Sequence, residues 1–332
     1  MYKIAKLPIA TRRALFRNTA EKMHLSEAIV EKDFWVCLTL DHLFHHGKYK
    51  NAFAFKGGTS LSKAWHCIER FSEDIDLILD WRILGYMTNE PWQERSNKKQ
   101  DLFNKNANAQ AEQFIYNDLA PLLKNDLTNI LGNSANISVD ADEPQIINFN
   151  YPHIFDSSAI TQAIKLEIGP LAAWTPTEKV KIVPYSAEQY PRVFTQSTTE
   201  ILTVLPERTF WEKATILHQE AHRPEKSIIP SRYSRHYYDL YCLSHSDVKE
   251  KAFSKIALLQ KVVDFKQKFY PRAWAKYDEA KPGTFRLSPS DHNKKILESD
   301  YKEMHEMIYG PHPDFATLMQ YIEQLEDEIN AL

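Results

Sequence analysis

FKGGTSLSKAWHCIERFSEDIDLIL, residues 55–79, changes its periodicity twice within a few turns of chain. It is entered through AFAF, residues 52–55, a short apolar run that halts at Gly57-Gly58, the pattern of a buried strand stopped by a turn. Leu61, Ala64, Trp65 and Ile68 then fall at i, i+3, i+4 and i+7, which predicts one face of a short helix. In DIDLILD the period drops to two, with Ile75, Leu77 and Leu79 on one side of a strand and Asp74 and Asp76 on the other. Strand, glycine turn, helix and strand in succession predict an α/β (α+β) core with a mixed sheet.

The same reasoning extends in both directions. Upstream, residues 11–44 have apolar positions recurring at three and four, which predicts two helices, the second started by Ser26. Downstream, residues 93–131 read as helical and ISVDADEPQIINFNY, residues 137–151, as a hairpin around Asp142-Glu143-Pro144. AIKLEIG, residues 163–169, repeats the design of an apolar back and a charged front, with Ile164, Leu166 and Ile168 opposite Lys165 and Glu167. After Pro206 helical patterns return at residues 206–221, 231–243 and 257–269 and from about Asp314, with a proline-containing loop over residues 222–231. The expected organisation is an N-terminal helical segment (1–50), a core (51–204) and a C-terminal helical domain (205–332).

With 332 residues, 43% of them hydrophobic, the chain can bury an ordinary core. A formal net charge of -3 leaves no global basic field, so a nucleic-acid partner would need a local patch. Three cysteines, Cys37, Cys67 and Cys242, stand far apart and in no metal-binding spacing, which suits reduced thiols. The first residues lack an apolar targeting segment, and no uncharged run approaches the roughly 18 residues of a membrane span. A cytoplasmic protein without a membrane partner is expected.

Residues two apart on a strand point the same way, so Asp74 and Asp76 can offer two carboxylates to one divalent ion. Oxygen-only ligands suit magnesium, and two such ions can clamp the attacking and leaving oxygens of a phosphoryl displacement. Glu167, on the second strand of the same design, is the candidate third carboxylate. An Asp-x-Asp alone is more often a solvated strand face. Here it follows a glycine turn whose backbone can approach phosphates closely. Other motifs fail on spacing: Ser62, not glycine, precedes Lys63, and glutamine at 219 stands where a His-x-x-x-His zinc protease needs its base. His218 and His222 read as surface histidines. In the helix of residues 206–221, Lys213 flanks the stripe of Phe210, Trp211, Ala214 and Leu217, where it can bury its stem and present an ammonium to a cleft or simply to solvent. Residues 231–243 place Tyr237, Leu240 and Tyr241 in a buried stripe, with Arg232, Arg235, His236 and Asp239 opposite, where Asp239 and Arg235 are spaced for an ordinary ion pair or the arginines face phosphate.

Gly57-Gly58-Thr59, Leu61, Arg70-Phe71-Ser72 and Asp74-Ile75-Asp76 together resemble the first motif of the AbiEii/AbiGii toxin family of nucleotidyltransferases, to which the MenT toxins also belong. Further resemblance lies in VEKDFWV (30–36), LPERTFWEKATIL (205–217) and SRHYYDLYCL (234–243). The resemblance implies a core like that of DNA polymerase β. It implies that Asp74 and Asp76 bind magnesium and triphosphate, that Gly57, Gly58, Thr59, Ser60 and Ser72 lie by the nucleotide, that Lys213 contacts it, and that Asp239 belongs to the active cleft. Glu167 takes the place of the third carboxylate. It also implies a toxin opposed by a separately encoded antitoxin, transferring NMP from an NTP to an RNA acceptor, the 3′ end of tRNA, and so blocking translation.

Two other classes of function fit the same residues: a nucleotidyltransferase acting on a small molecule, and a silent nucleotide- or partner-binding module, against which both intact aspartates argue. For the RNA acceptor the expected surface is local and basic, with Arg208, Arg223, Lys226, Arg232 and Arg235 interspersed with Glu212, Glu220 and Glu225.

Overall fold

The apolar run before the glycine turn forms strand β1 (Phe53–Lys56), and DIDLIL forms β2 (Asp74–Leu79), in a computed structural model that describes residues 1–332 except 73, 133–134, 158–159 and 173. β3 (Asn136–Val139), β4 (Ile146–Asn150), β5 (Ile164–Gly169), β6 (Thr177–Ile182) and β7 (Thr199–Val204) complete a seven-stranded mixed sheet in the order β3-β4-β5-β2-β1-β7-β6. β2 is central. It runs antiparallel to β1 and parallel to β5, so its apolar side chains are covered on both flanks. Ile75, Leu77 and Leu79 are fully buried, whereas Asp74 and Asp76 are partly exposed. The alternation expected for β2 and β5, and the hairpin of β3 and β4, are present.

The chain divides into two compact units, residues 1–64 with 71–204 and residues 65–70 with 205–332. In the first, helices Ile9–Met23 and Glu27–Asp41 precede β1, and the Ser26 hydroxyl caps the second by accepting from the Ile29 amide at 3.3 Å. This second helix is buried nearly all round, including three consecutive charges. Each has a partner, as burial demands. Glu31 accepts from the amides of Ile154 (2.9 Å) and Phe155 (3.1 Å), and Lys32 donates to the Thr161 carbonyl at 2.8 Å. Asp33 pairs with Lys63 at 2.7 Å and accepts from the Tyr185 amide at 2.7 Å. Burial weakens the Lys63 ammonium, but the Asp33 carboxylate outweighs it and holds the group charged.

One boundary differs from expectation. The helix after the glycine turn runs from Gly57 to Lys63 and stops short of Trp65 and Ile68. His66 has a left-handed backbone (φ 52), through which no helix continues, and residues 65–70 belong to the second unit. There the Glu69 carbonyl accepts from the Tyr309 amide at 3.0 Å and Arg70 bridges to Ile308.

The second unit is helical: Pro206–Ala221, Arg235–Ser244, Val248–Phe253, Ala257–Phe269, Asp291–Met304 and Phe315–Asn330 are its longer helices. Trp211 and Phe210 are its fully buried aromatic anchors, and the Trp211 indole donates to the Ala252 carbonyl at 3.2 Å. Among the described residues no helix is long and apolar enough to cross a membrane.

Candidate functional site

Register brings the carboxylates together. Asp76 on β2 lies directly opposite Glu167 on β5 and opposite Lys56 on β1, while Asp74 lies opposite Lys165. Directly opposed residues share a face, so Asp74, Asp76 and Glu167 stand on one side of the sheet with two lysines beside them. On that same face Ile78 is buried with Ala54, Ala172 and Val204, with Trp174 and Leu202 packed against them. The face is therefore dry at one end and carboxylate-lined at the other.

The glycine turn is built against this face. Gly57 has φ +78, and a Cβ placed on it would stand 2.5 Å from Asp76 Cγ and 2.9 Å from Asp76 Cβ. Only glycine combines that backbone with that approach. Thr59 is buried and donates its hydroxyl to the Asp74 carbonyl, and Ser60, also buried, donates to the Gly57 carbonyl at 2.8 Å. The Thr59 hydroxyl thus fixes the turn to β2, and that of Ser60 braces the turn internally. Phe71, next to Ser72, packs with Ala28, Ile29 and Ile160. Ser72 itself is partly exposed.

All three carboxylates are hard oxygen donors, the chemistry magnesium selects. Among the described residues no three His, Cys, Asp or Glu side chains already form a closed cation cage. A partly open carboxylate face suits an ion that takes one or two protein carboxylates and completes its shell with water and substrate phosphate. The residues fit the ion.

Within the second unit the expected ion pair of Asp239 with Arg235 gives way to a buried cluster. Asp239 has no exposed surface and is gripped bidentately by Arg70 (2.6 and 2.7 Å) and by Lys213 at 2.7 Å. Burial alone would raise its pKa, but the two cations hold it below the usual carboxylate range. Lys213 is neither a snorkelling surface group nor an open one: it is 6% exposed, and burial lowers its pKa against the pull of Asp239. His236 Nδ1 lies 3.4 Å from its Nζ, and burial together with Lys213 keeps that imidazole neutral. Arg70 is the residue sequence reasoning overlooked. It sits in the quoted motif, but nothing local signals a partner 169 positions away.

The basic set is also redistributed. Arg208 is 2% exposed and paired with Glu212 at 2.8 Å, so it is not part of an open surface. Arg223 is held by Glu220 (2.9 Å) and by the Ile228 carbonyl (2.9 Å). Lys226 and Arg232 are exposed and Arg235 partly so. In the helix Arg235–Ser244, Tyr238 joins Tyr237 and Leu240 in the buried stripe, and Tyr241 is partly exposed. His218 is a core residue rather than a surface one. It bonds the Lys276 carbonyl at 3.0 Å through Nε2 and accepts from the Arg286 amide at 3.1 Å through Nδ1. Burial pushes the Cys67 thiol up to about 11 and that of Cys242 up to about 12, so neither is a ready nucleophile.

Comparison with known proteins agrees with the motif. Residues 39–323 match the profile of a family described as nucleotidyl transferase AbiEii toxin, type IV toxin–antitoxin system. MenT4, a nucleotidyltransferase toxin from Mycobacterium tuberculosis H37Rv, is similar in structure with a TM-score of 0.42 and 14% identity, over 97% of this chain and 99% of that one. No curated protein sequence matches. This chain belongs to the AbiEii family of nucleotidyltransferase toxins of type IV toxin–antitoxin systems.

Proposed function

We propose that the protein transfers NMP from an NTP to the 3′ hydroxyl of an RNA, the end of a tRNA, in the cytoplasm, and that a separately encoded antitoxin opposes it. The observation that carries the reading is the register placing Asp76 beside Glu167, with the Gly57 backbone closed against the Asp76 carboxylate. Asp74, Asp76 and Glu167 would hold magnesium, which when bound neutralises triphosphate charge and lowers the pKa of the attacking hydroxyl. The residues do the rest. Gly57 and Gly58 bring backbone to the phosphates, with Thr59 locking that turn to β2, Ser60 bracing it from within and Ser72 entering beside it. Within the second unit Lys213 and Arg70 converge on one carboxylate, Asp239, leaving a cluster with one positive charge in excess. The acceptor oxygen bonds the α-phosphorus, pyrophosphate leaves and the hydroxyl proton passes to solvent.

The test is incubation with each labelled NTP and total RNA. Asp76→Ala should abolish incorporation into RNA and relieve growth inhibition on induced expression, with thermal unfolding unchanged, because the side chain is partly exposed. Full activity of Asp76→Ala at ordinary magnesium would sink the assignment. The burial of Arg208 and the pairing of Arg223 favour one second reading, a small-molecule acceptor, which the same assay reveals as label outside the RNA fraction.

A further inference from the structure

Outside the groups already described, the second unit carries a row of alternating rings and cations that leads outward from Lys213. His236 Nδ1 is 3.4 Å from Lys213 Nζ, and its ring meets Tyr233 edge-on at 4.8 Å. The Arg223 guanidinium lies 5.9 Å from the Tyr233 ring centre and 5.1 Å from that of Trp274, and Arg272 covers the same indole at 5.7 Å. Lys213 at the inner end is buried, His236, Tyr233 and Trp274 are partly exposed, and Arg272 is exposed.

The row is held from beneath. Glu220, 3% exposed, fixes Arg223; Gln219 donates to Glu220 at 3.0 Å, and the Tyr277 hydroxyl donates to Gln219 at 2.5 Å. The backbone is strained on both sides of it. Arg232, next to Tyr233, has φ 60, and Lys276, two residues after Trp274, has φ 46, conformations that L residues avoid. Each is pinned by a contact: Asp300 accepts from the Arg232 and Ser234 amides, and His218 bonds the Lys276 carbonyl. A simple surface loop needs no such bracing, while strained segments persist where the surroundings over-determine them and cluster at binding sites.

We propose that this row is a stacking subsite for the unpaired strand of the RNA acceptor, with Trp274 taking a base and Arg272 a phosphate. The inference rests on the RNA-acceptor reading above. Single strands are held by this combination of partly exposed aromatic rings and neighbouring cations, and a guanidinium plane stacks on bases as well. Every base has a π-face, so the subsite selects unpaired nucleotides rather than a sequence.

The experiment measures anisotropy of a labelled short single-stranded RNA with the full chain over a series of salt concentrations, beside binding of a labelled NTP. Stacking of one base on an aromatic ring predicts that Trp274→Ala weakens RNA binding about tenfold, whereas Trp274→Phe stays within about threefold because it keeps a ring. Arg272→Gln should lower the slope of log affinity against log salt by about 0.7, one phosphate contact to a single strand. NTP affinity should be unchanged in all three. If wild type binds the RNA and the variants bind it with the same affinity and slope, the subsite is overturned and the acceptor reading stands. If wild type binds no RNA and labels another acceptor, both fall. Should Trp274→Ala not fold, the exposed Arg272→Gln decides alone.

Discussion

Replacing Gly57 by alanine probes the turn and the carboxylate together. The added Cβ would stand 2.5 Å from Asp76 Cγ, against the roughly 3.5–4 Å of an ordinary carbon contact, so one partner must move by about 1 Å. The positive φ adds a conformational penalty of about 1–2 kcal/mol for a side chain in left-handed backbone. Misplacing a reacting group by about 1 Å costs on the order of a hundredfold in rate, so transfer should fall by about that factor while stability falls by about 1–3 kcal/mol. Gly85 separates the two effects. It also has positive φ (+91), but a Cβ there meets nothing within 4 Å. Gly85→Ala should therefore lose only that conformational penalty of about 1–2 kcal/mol and keep wild-type activity. The measurements are pyrophosphate release under saturating NTP and urea unfolding of both variants. Gly57→Ala with activity within about threefold of wild type, or Gly85→Ala as inactive as Gly57→Ala, would refute the reasoning.

Asp239→Asn should destabilise the second unit by about 3–5 kcal/mol, since it leaves the buried Arg70 and Lys213 cations without their carboxylate; a denaturation midpoint equal to wild type would show the cluster to be more solvated than its geometry indicates. His218 should make the same unit acid-sensitive. Its folded pKa is lowered to about 4 by burial from an ordinary value near 6.5, so between those pH values the unfolded chain binds more protons, and stability falls as pH drops from about 6.5 towards 4. The loss is on the order of 3 kcal/mol, and urea unfolding across that range should show His218→Gln with a flatter dependence than wild type.

The residues that were legible in the sequence are those whose placement follows from local periodicity. Asp74, Asp76 and Glu167 lie on strands of strict alternation, and two such strands paired in a sheet must show their charged positions to one side. What stayed hidden depends on distant partners. β6 shows no clean alternation because it is an edge strand, with Glu178, Lys179 and Lys181 exposed, as edges that avoid aggregation tend to be. Helical periodicity assigned Asp239 to an outer face because charge is assumed to seek water. That assumption fails where a second charge arrives from far along the chain, as Arg70 does here, and it fails three times over in Glu31-Lys32-Asp33, whose partners lie 123, 129 and 152 positions away at Ile154, Thr161 and Tyr185. A buried charge is tolerated only when paired, so a run of charges inside an apolar helix is itself a signal that specific partners exist. The identity of those partners needs the fold. This is why Asp74, Asp76 and Glu167 could be placed on charged strand faces from the alternation of β2 and β5, while the cations that hold Asp239 could not.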